Sequence, residues 1–164
     1  MAIFNRVWRI GEYAPAAGEP GLTKGEPWRE TLELKAVQDV AAARFNYPSP
    51  EFPNYRTYVN KPERQMGVRD SHGEFLFPDV VVAEMPGLTV RLLGEVETLR
   101  SLRDETLVEK WRGFGGLGAF YLFVPLQKTG EVAALVRRLK IPVVGVRGWR
   151  YIAGQDVIDV IDAP

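Results

Sequence analysis

The stretch FPDVVVAEMPGLTVRLLGEVET, residues 77–98, reads as a β-hairpin that carries acidic residues where apolar ones are expected. Asp79 opens a run of valines, and Glu95 and Glu97 stand on either side of Val96. A carboxylate that loses its water inside a sheet costs several kcal/mol unless a partner or a cation replaces that water. Residues two apart on a strand share a face, so Glu95 and Glu97 point the same way and Val96 points the other. Where Asp79 points depends on the turn. A two- or four-residue loop centred on Pro86-Gly87 sets Asp79 opposite Gly94, on the wrong face for Glu95. A three- or five-residue loop, or a bulge with the same effect, sets it opposite Glu95, and this is the predicted register. Like charges facing each other repel. Such an arrangement makes sense with a divalent cation between them, and hard carboxylate oxygens suit Mg²⁺ or Mn²⁺.

The pattern Pro78-Asp79-x15-Glu95-Val96-Glu97, flanked by strand-forming residues, resembles the PD-(D/E)XK nuclease superfamily, the restriction-endonuclease-like proteins. Glu97 departs from that pattern, because it stands where the family usually has lysine. The resemblance implies a metal-dependent endonuclease that hydrolyses phosphodiester bonds in nucleic acid, DNA before RNA. It also implies that Asp79 and Glu95 hold one Mg²⁺ or Mn²⁺, with the Val96 carbonyl a further ligand. Glu97 would then orient or deprotonate the attacking water, or hold a second ion. The family often places another acid on its first helix. At about 100° per residue Glu30 lies about 20° from Val37, inside the stripe of Leu34, Val37, Val40 and Ala41. Glu33 flanks that stripe on its other side, and Glu30 is the preferred metal ligand of the two. Lys110 is the candidate to replace the missing lysine, lying within about 60° of the inward-facing Leu107. The commoner role for such a lysine is a solvated charge on a helix face.

The elements that must position these groups follow from pattern and punctuation. IFNRVWRI is a short strand, followed by a Gly/Pro/Ala-rich loop, and residues 1–27 form an extension to one domain covering 1–164. WRETLELKAVQDVAAARFNY is a helix, with Pro27 near its first turn and Pro48 just beyond its end. YRTYV is a short strand, and NKPERQMGVRDSHGE, residues 60–74, is a polar loop. RDETLVEKWRGF is a second helix, AFYLFVP a buried strand, KTGEVAALVRRL a third helix and IPVVGV a further buried strand. The tail WRYIAGQDVIDVID adds a strand and turn. This order predicts an α/β fold, a mixed sheet sandwiched by helices with a restriction-endonuclease-like core.

Composition excludes other chemistries. The 164 residues include no cysteine and one histidine, His72, so thiolate catalysis, disulfides and His-rich metal sites lack material. Lys plus Arg equals Asp plus Glu at 21 each, so a nucleic-acid partner needs a local basic patch. Arg137, Arg138, Lys140, Arg147 and Arg150 supply one near the C-terminus, with Trp149 and Tyr151 interleaved for stacking. The glycines of FGGLGAF follow a helix and precede a strand, the reverse of a phosphate cradle, and read as helix termination. YPSPEFPNY reads as packing over a sheet edge, and His72 as surface. With no apolar run near the roughly 20 residues of a membrane span, and no signal-peptide core, the chain reads as cytoplasmic. Cutting both strands of a duplex needs two sites, which fits a homodimer. The competing reading is a non-catalytic nucleic-acid-binding or assembly module on a degenerate nuclease fold, the Lys-to-Glu change marking lost chemistry.

Overall fold

The computed structural model describes residues 7–9 and 27–162, with side chains from residue 31 onward. Among the described residues, three α-helices and nine strands follow in the order β1 (Val7–Arg9), α1 (Pro27–Arg44), β2 (Tyr55–Val59), β3 (Met66–Arg69), β4 (Phe75–Leu76), β5 (Val80–Glu84), β6 (Thr89–Val96), α2 (Leu107–Gly115), β7 (Ala119–Pro125), α3 (Thr129–Arg138), β8 (Gly145–Tyr151) and β9 (Ile158–Asp162). Six strands form one mixed sheet, ordered β2-β5-β6-β7-β8-β9. β6, β7 and β8 run parallel through the crossover helices α2 and α3, while the flanking pairs are antiparallel hairpins or returns.

The central strands are apolar on both faces because helices cover both. Val80, Val82, Val96, Phe123 and Trp149 meet Ala36, Val37, Val40, Ala41 and Phe45 of α1 and its exit. On the other face Val81, Ala83, Leu93, Phe120, Leu122 and Val124 meet Leu107, Trp111 and Phe114 of α2 and Val132 and Val136 of α3. β6 has little room beside α1. A Cβ on Gly94 would stand 2.8 Å from the Phe45 ring, so only glycine lets the strand that carries Glu95 lie this close to the end of α1. Gly115 at the end of α2 has a similar reason, since a Cβ there would stand 2.4 Å from the Pro142 carbonyl.

Two predicted elements are displaced. The polar segment 60–74 contains β3, which pairs with β1 and β4 in a small second sheet and buries Met66 and Val68 completely. Its local composition hides this, because one of the pairing partners, β1, is distant in sequence. The apolar run IPVVGV is not the strand predicted there. Val144 is 61% exposed, and β8 begins at Gly145 and continues through the alternating sequence VRGWRY. Among the described residues, no helix is long and apolar enough to cross a membrane.

Candidate active site

The hairpin reaches the predicted register by a route that combines both alternatives. Its turn, Met85 to Leu88, has four residues, because Glu84 pairs with Thr89 and Ala83 with Val90. Alone, this would put Asp79 and Glu95 on opposite faces. A bulge between Val82 and Ala83 leaves Arg91 as the extra residue, and beyond it Val82 pairs with Leu92 and Val80 with Gly94. Asp79 therefore comes beside Glu95. Arg91 turns outward and its Nε donates to Glu84 Oε2 at 2.6 Å.

Asp79, Glu95 and Glu97 are only 2%, 3% and 1% exposed. Two backbone N–H groups clamp the first pair. The Asp79 N–H donates to Glu95 Oε2 and the Val96 N–H donates to Asp79 Oδ2, each at 2.9 Å. One oxygen of each carboxylate is left to face a side-chain cation. Asp79 Oδ1 lies 3.0 Å from Lys61 Nζ, and Glu95 Oε1 lies 2.5 Å from Lys110 Nζ. N–H and C=O of one strand residue leave on the same side, so the Val96 carbonyl also faces the β5 edge.

Glu97 is held differently. Its Oε1 accepts from the Trp111 indole at 3.0 Å and lies 3.3 Å from Lys110 Nζ, while Oε2 accepts from Ser101 Oγ at 2.5 Å. The Glu97 backbone is pinned as well, its N–H donating to Phe123 and its carbonyl accepting from the Trp149 indole at 3.0 Å. α2 makes this possible because Lys110 and Trp111 are adjacent, so one helix turn delivers both an ammonium and an indole donor to the same carboxylate.

Burial, reinforced by the Asp79 charge, pushes the Glu95 carboxyl up to about 8. Burial opposes the charge on Lys110, but Glu95 and Glu97 outweigh it and hold the ammonium above its ordinary range. Lys61 is raised in the same way, its burial being outweighed by Asp79 and then Glu95. Both lysines are nonetheless more than a third exposed, at 40% for Lys61 and 37% for Lys110. The cluster is thus a floor of buried acids under two partly exposed ammonium groups.

Among the described residues, no three Asp, Glu, His or Cys side chains are arranged to hold a metal ion. The donor set nonetheless fits a hard ion. Asp79 Oδ1 and Glu95 Oε1 each face a partly exposed ammonium, and Mg²⁺ is commonly held by one or two carboxylates with waters and substrate phosphate completing its shell. The ammonium groups now stand where positive charge is required, and their length allows them to withdraw.

Glu33 accepts from Thr98 Oγ1 at 3.3 Å, which brings α1 to the end of β6. Glu30, the acid preferred from sequence, has a side chain outside the described residues. Lys110 does not take the solvated role common for helix-face lysines but bridges Glu95 and Glu97. His72 is exposed in the Asp70–Gly73 turn. Tyr47, Phe52 and Tyr55 pack on one another at the start of β2, with the Phe52 and Tyr55 rings stacked at 4.8 Å.

The five basic residues near the C-terminus do not form one patch. α3 starts at the end of β7 and runs back, so Arg137, Arg138 and Lys140 lie near the start of β8, where the Val144 N–H donates to Phe120 at 2.7 Å. In the sheet register Glu95 lies level with Leu122 and Val146, one residue beyond Gly145, whereas Arg150 lies five residues beyond Gly145, about 16 Å at roughly 3.3 Å per residue. Arg147 pairs with Asp162 at 3.1 Å and covers the Tyr121 ring. Arg150, near the end of β8, pairs with Asp159 at 3.2 Å and lines a cleft together with Thr98.

Sequence reading missed Lys61, Ser101 and Trp111 in the cluster. Lys61 owes its place to Asn60, whose buried amide donates to the Met66 and Pro78 carbonyls and accepts from the Gln65 and Met66 N–H groups. An Asn at a strand end before Lys-Pro is the single local sign. No family model, curated protein or solved structure matches the chain.

Proposed function

We propose that this chain is a divalent-metal-dependent phosphodiester hydrolase acting on DNA. The observation that carries the reading is the clamped pair Asp79 and Glu95, buried on neighbouring strands, each with one oxygen turned toward a displaceable ammonium. The order helix, hairpin, helix, parallel strand also supports it, since α1, β5-β6, α2 and β7 follow the sequence of elements that the PD-(D/E)XK resemblance implies. So does the bulge, which uses an extra residue to place Asp79 beside Glu95.

Asp79, Glu95 and the Val96 carbonyl would hold Mg²⁺ or Mn²⁺. When bound, the ion would lower the pKa of a water and offset charge on the scissile phosphate. Lys110 presents its ammonium to the phosphate from α2, in place of the lysine that the family carries at position 97. Glu97 has both oxygens engaged and serves as the positioning residue that fixes Lys110 through the frame of Trp111 and Ser101. Lys61 balances Asp79 until the ion arrives.

Metal-dependent melting and cleavage test this together. Millimolar Mg²⁺ or Mn²⁺ should raise the melting temperature of the wild type and leave Asp79→Ala unmoved. The wild type should nick supercoiled, branched or single-stranded DNA, and Asp79→Ala and Glu95→Ala should not. The saturation of every carboxylate oxygen by protein donors favours one competing reading, a structural charge cluster in a non-catalytic binding or assembly module. Absence of any metal-induced shift would select that reading.

A further inference from the structure

Resting on the hydrolase reading, we propose that a cleft at the carboxylate end of the sheet binds an unpaired DNA nucleotide beside the scissile phosphate. The cleft has a volume of about 520 Å³. Its lining includes Leu32, Leu99, Trp149 and Tyr151, with Arg100 and Arg103 and one acid, Glu33. The natural substrate is then single-stranded or frayed DNA rather than continuous duplex.

The cleft adjoins the acid cluster through the backbone itself. Thr98, which follows Glu97, lines it, and Trp149 lines it while its indole N–H holds the Glu97 carbonyl. A strand whose phosphate lies over Asp79 and Glu95 therefore has this cleft as its neighbour along the end of the sheet. The walls are mainly apolar, and Leu32 and Leu99 remain 42% and 46% exposed. The outside of a duplex offers phosphate and sugar, with its bases stacked away from such a surface. An unpaired base offers an apolar face of suitable size and carries a phosphate beside it.

The arginines match that phosphate. Arg100 caps the 3₁₀ turn Ser101–Arg103 and Arg103 closes it, and side chains three apart on such a turn project together. Both are exposed, and among the described residues neither has a carboxylate partner. Arg150, the third arginine of the cleft, is by contrast tied to Asp159. Two guanidinium groups with no carboxylate partner among the described residues, beside an apolar slot, make a base-plus-phosphate site.

The test separates this proposal from the hydrolase reading by measuring binding without turnover. Fluorescence anisotropy with the Asp79→Asn protein in EDTA should show a labelled oligo-dT bound about tenfold more tightly than a duplex of equal length. Arg100→Ala/Arg103→Ala should weaken oligo-dT binding and lower the salt slope by about 1.4, at about 0.7 per phosphate contact. Leu32→Ala/Leu99→Ala should weaken binding with the slope unchanged. Circular dichroism and melting would confirm that these surface variants fold. Equal affinity for duplex, an oligo-rU bound more tightly than oligo-dT, or unchanged binding by both double variants would overturn the proposal. If wild type with Mg²⁺ or Mn²⁺ cuts nothing while the binding pattern holds, the hydrolase reading fails and the cleft stands. If it cuts duplex and the arginine variants cut it equally well, the cleft fails and the hydrolase stands.

Discussion

At the start of β5, Asp79, Glu95 and Glu97 lose nearly all contact with water and meet Lys61 and Lys110. On the β8–β9 hairpin, Arg147 and Arg150 meet Asp162 and Asp159 at the surface, where Asp162 keeps 66% of its exposure. Both regions pair carboxylates with basic side chains at similar distances, lysines in the first and arginines in the second. The surroundings differ. In water a pair of this kind contributes about 0–1 kcal/mol, because solvent already satisfied both charges. In the interior each carboxylate must recover its lost hydration from named donors, so removing one partner strands another. The surface pairs decorate a hairpin that would form without them. The buried group holds excess acid against repulsion, and such an arrangement is retained where its charge is used.

If the two regions differ in this way, substitutions should rank accordingly. The largest effect is on turnover. Lys110→Gln removes the ammonium nearest Glu95, and loss of one preorganised positive donor costs about 10²-fold in kcat. A single-turnover assay on Mg²⁺-activated protein checks this, and cleavage at the wild-type rate would remove Lys110 from the site. Glu97→Ala should have the largest effect on stability. It leaves the Trp111 and Ser101 donors without their carboxylate and Lys110 with Glu95 alone, at about 3–5 kcal/mol, or roughly 10 °C in melting temperature for a chain this long. A loss no greater than that of a surface pair would show the cluster to be solvated.

The next effect depends on pH. Folded Glu95 keeps its proton to about 8, against an ordinary value of 4.5. Its contribution to stability is whole below the ordinary value and is lost as the pH climbs toward 8. In EDTA, Glu95→Gln should therefore gain on the wild type by a few degrees of melting temperature between pH 5 and pH 8.5. The raised values of Lys61 and Lys110 act only above the ordinary lysine range and leave this window alone. A difference that stays flat with pH would mean that Glu95 is ionised throughout. The smallest effect belongs to the surface. Arg150→Ala should change stability by no more than about 0.5 kcal/mol, read by urea denaturation at moderate salt.

Much of the positioning frame was legible in the residues. Alternation put Glu95 and Glu97 on one face, and Pro27, Pro48 and Gly115 marked helix ends close to where α1 and α2 begin and end. The requirement that buried acids meet a compensating partner led to the correct relative placement of Asp79 and Glu95. It could not say whether a turn or a bulge would achieve it. Other features were hidden because their signals lie in distant partners. Met66 and Val68 look like loop residues until β1 and β4 pair with their strand. Val143 and Val144 look like strand residues, yet β8 begins after them and Val144 faces solvent. The basic residues from Arg137 to Arg150 are close in sequence, but a helix that runs back along the sheet and a strand that returns separate them by the length of β8.

By itself the sequence determined the material: three acids in an apolar hairpin, no thiol, one histidine and an ordered series of helices and strands. Those properties belong to residue types and local periods, which the chain carries wherever it folds. The tertiary structure decided which cations meet those acids. Lys61 arrives from a loop held by Asn60, and Lys110 arrives on a crossover helix together with the Trp111 that fastens Glu97. Both depend on long-range packing, because a lysine's role follows from the dielectric and the charges around its ammonium group and not from its neighbours in the chain.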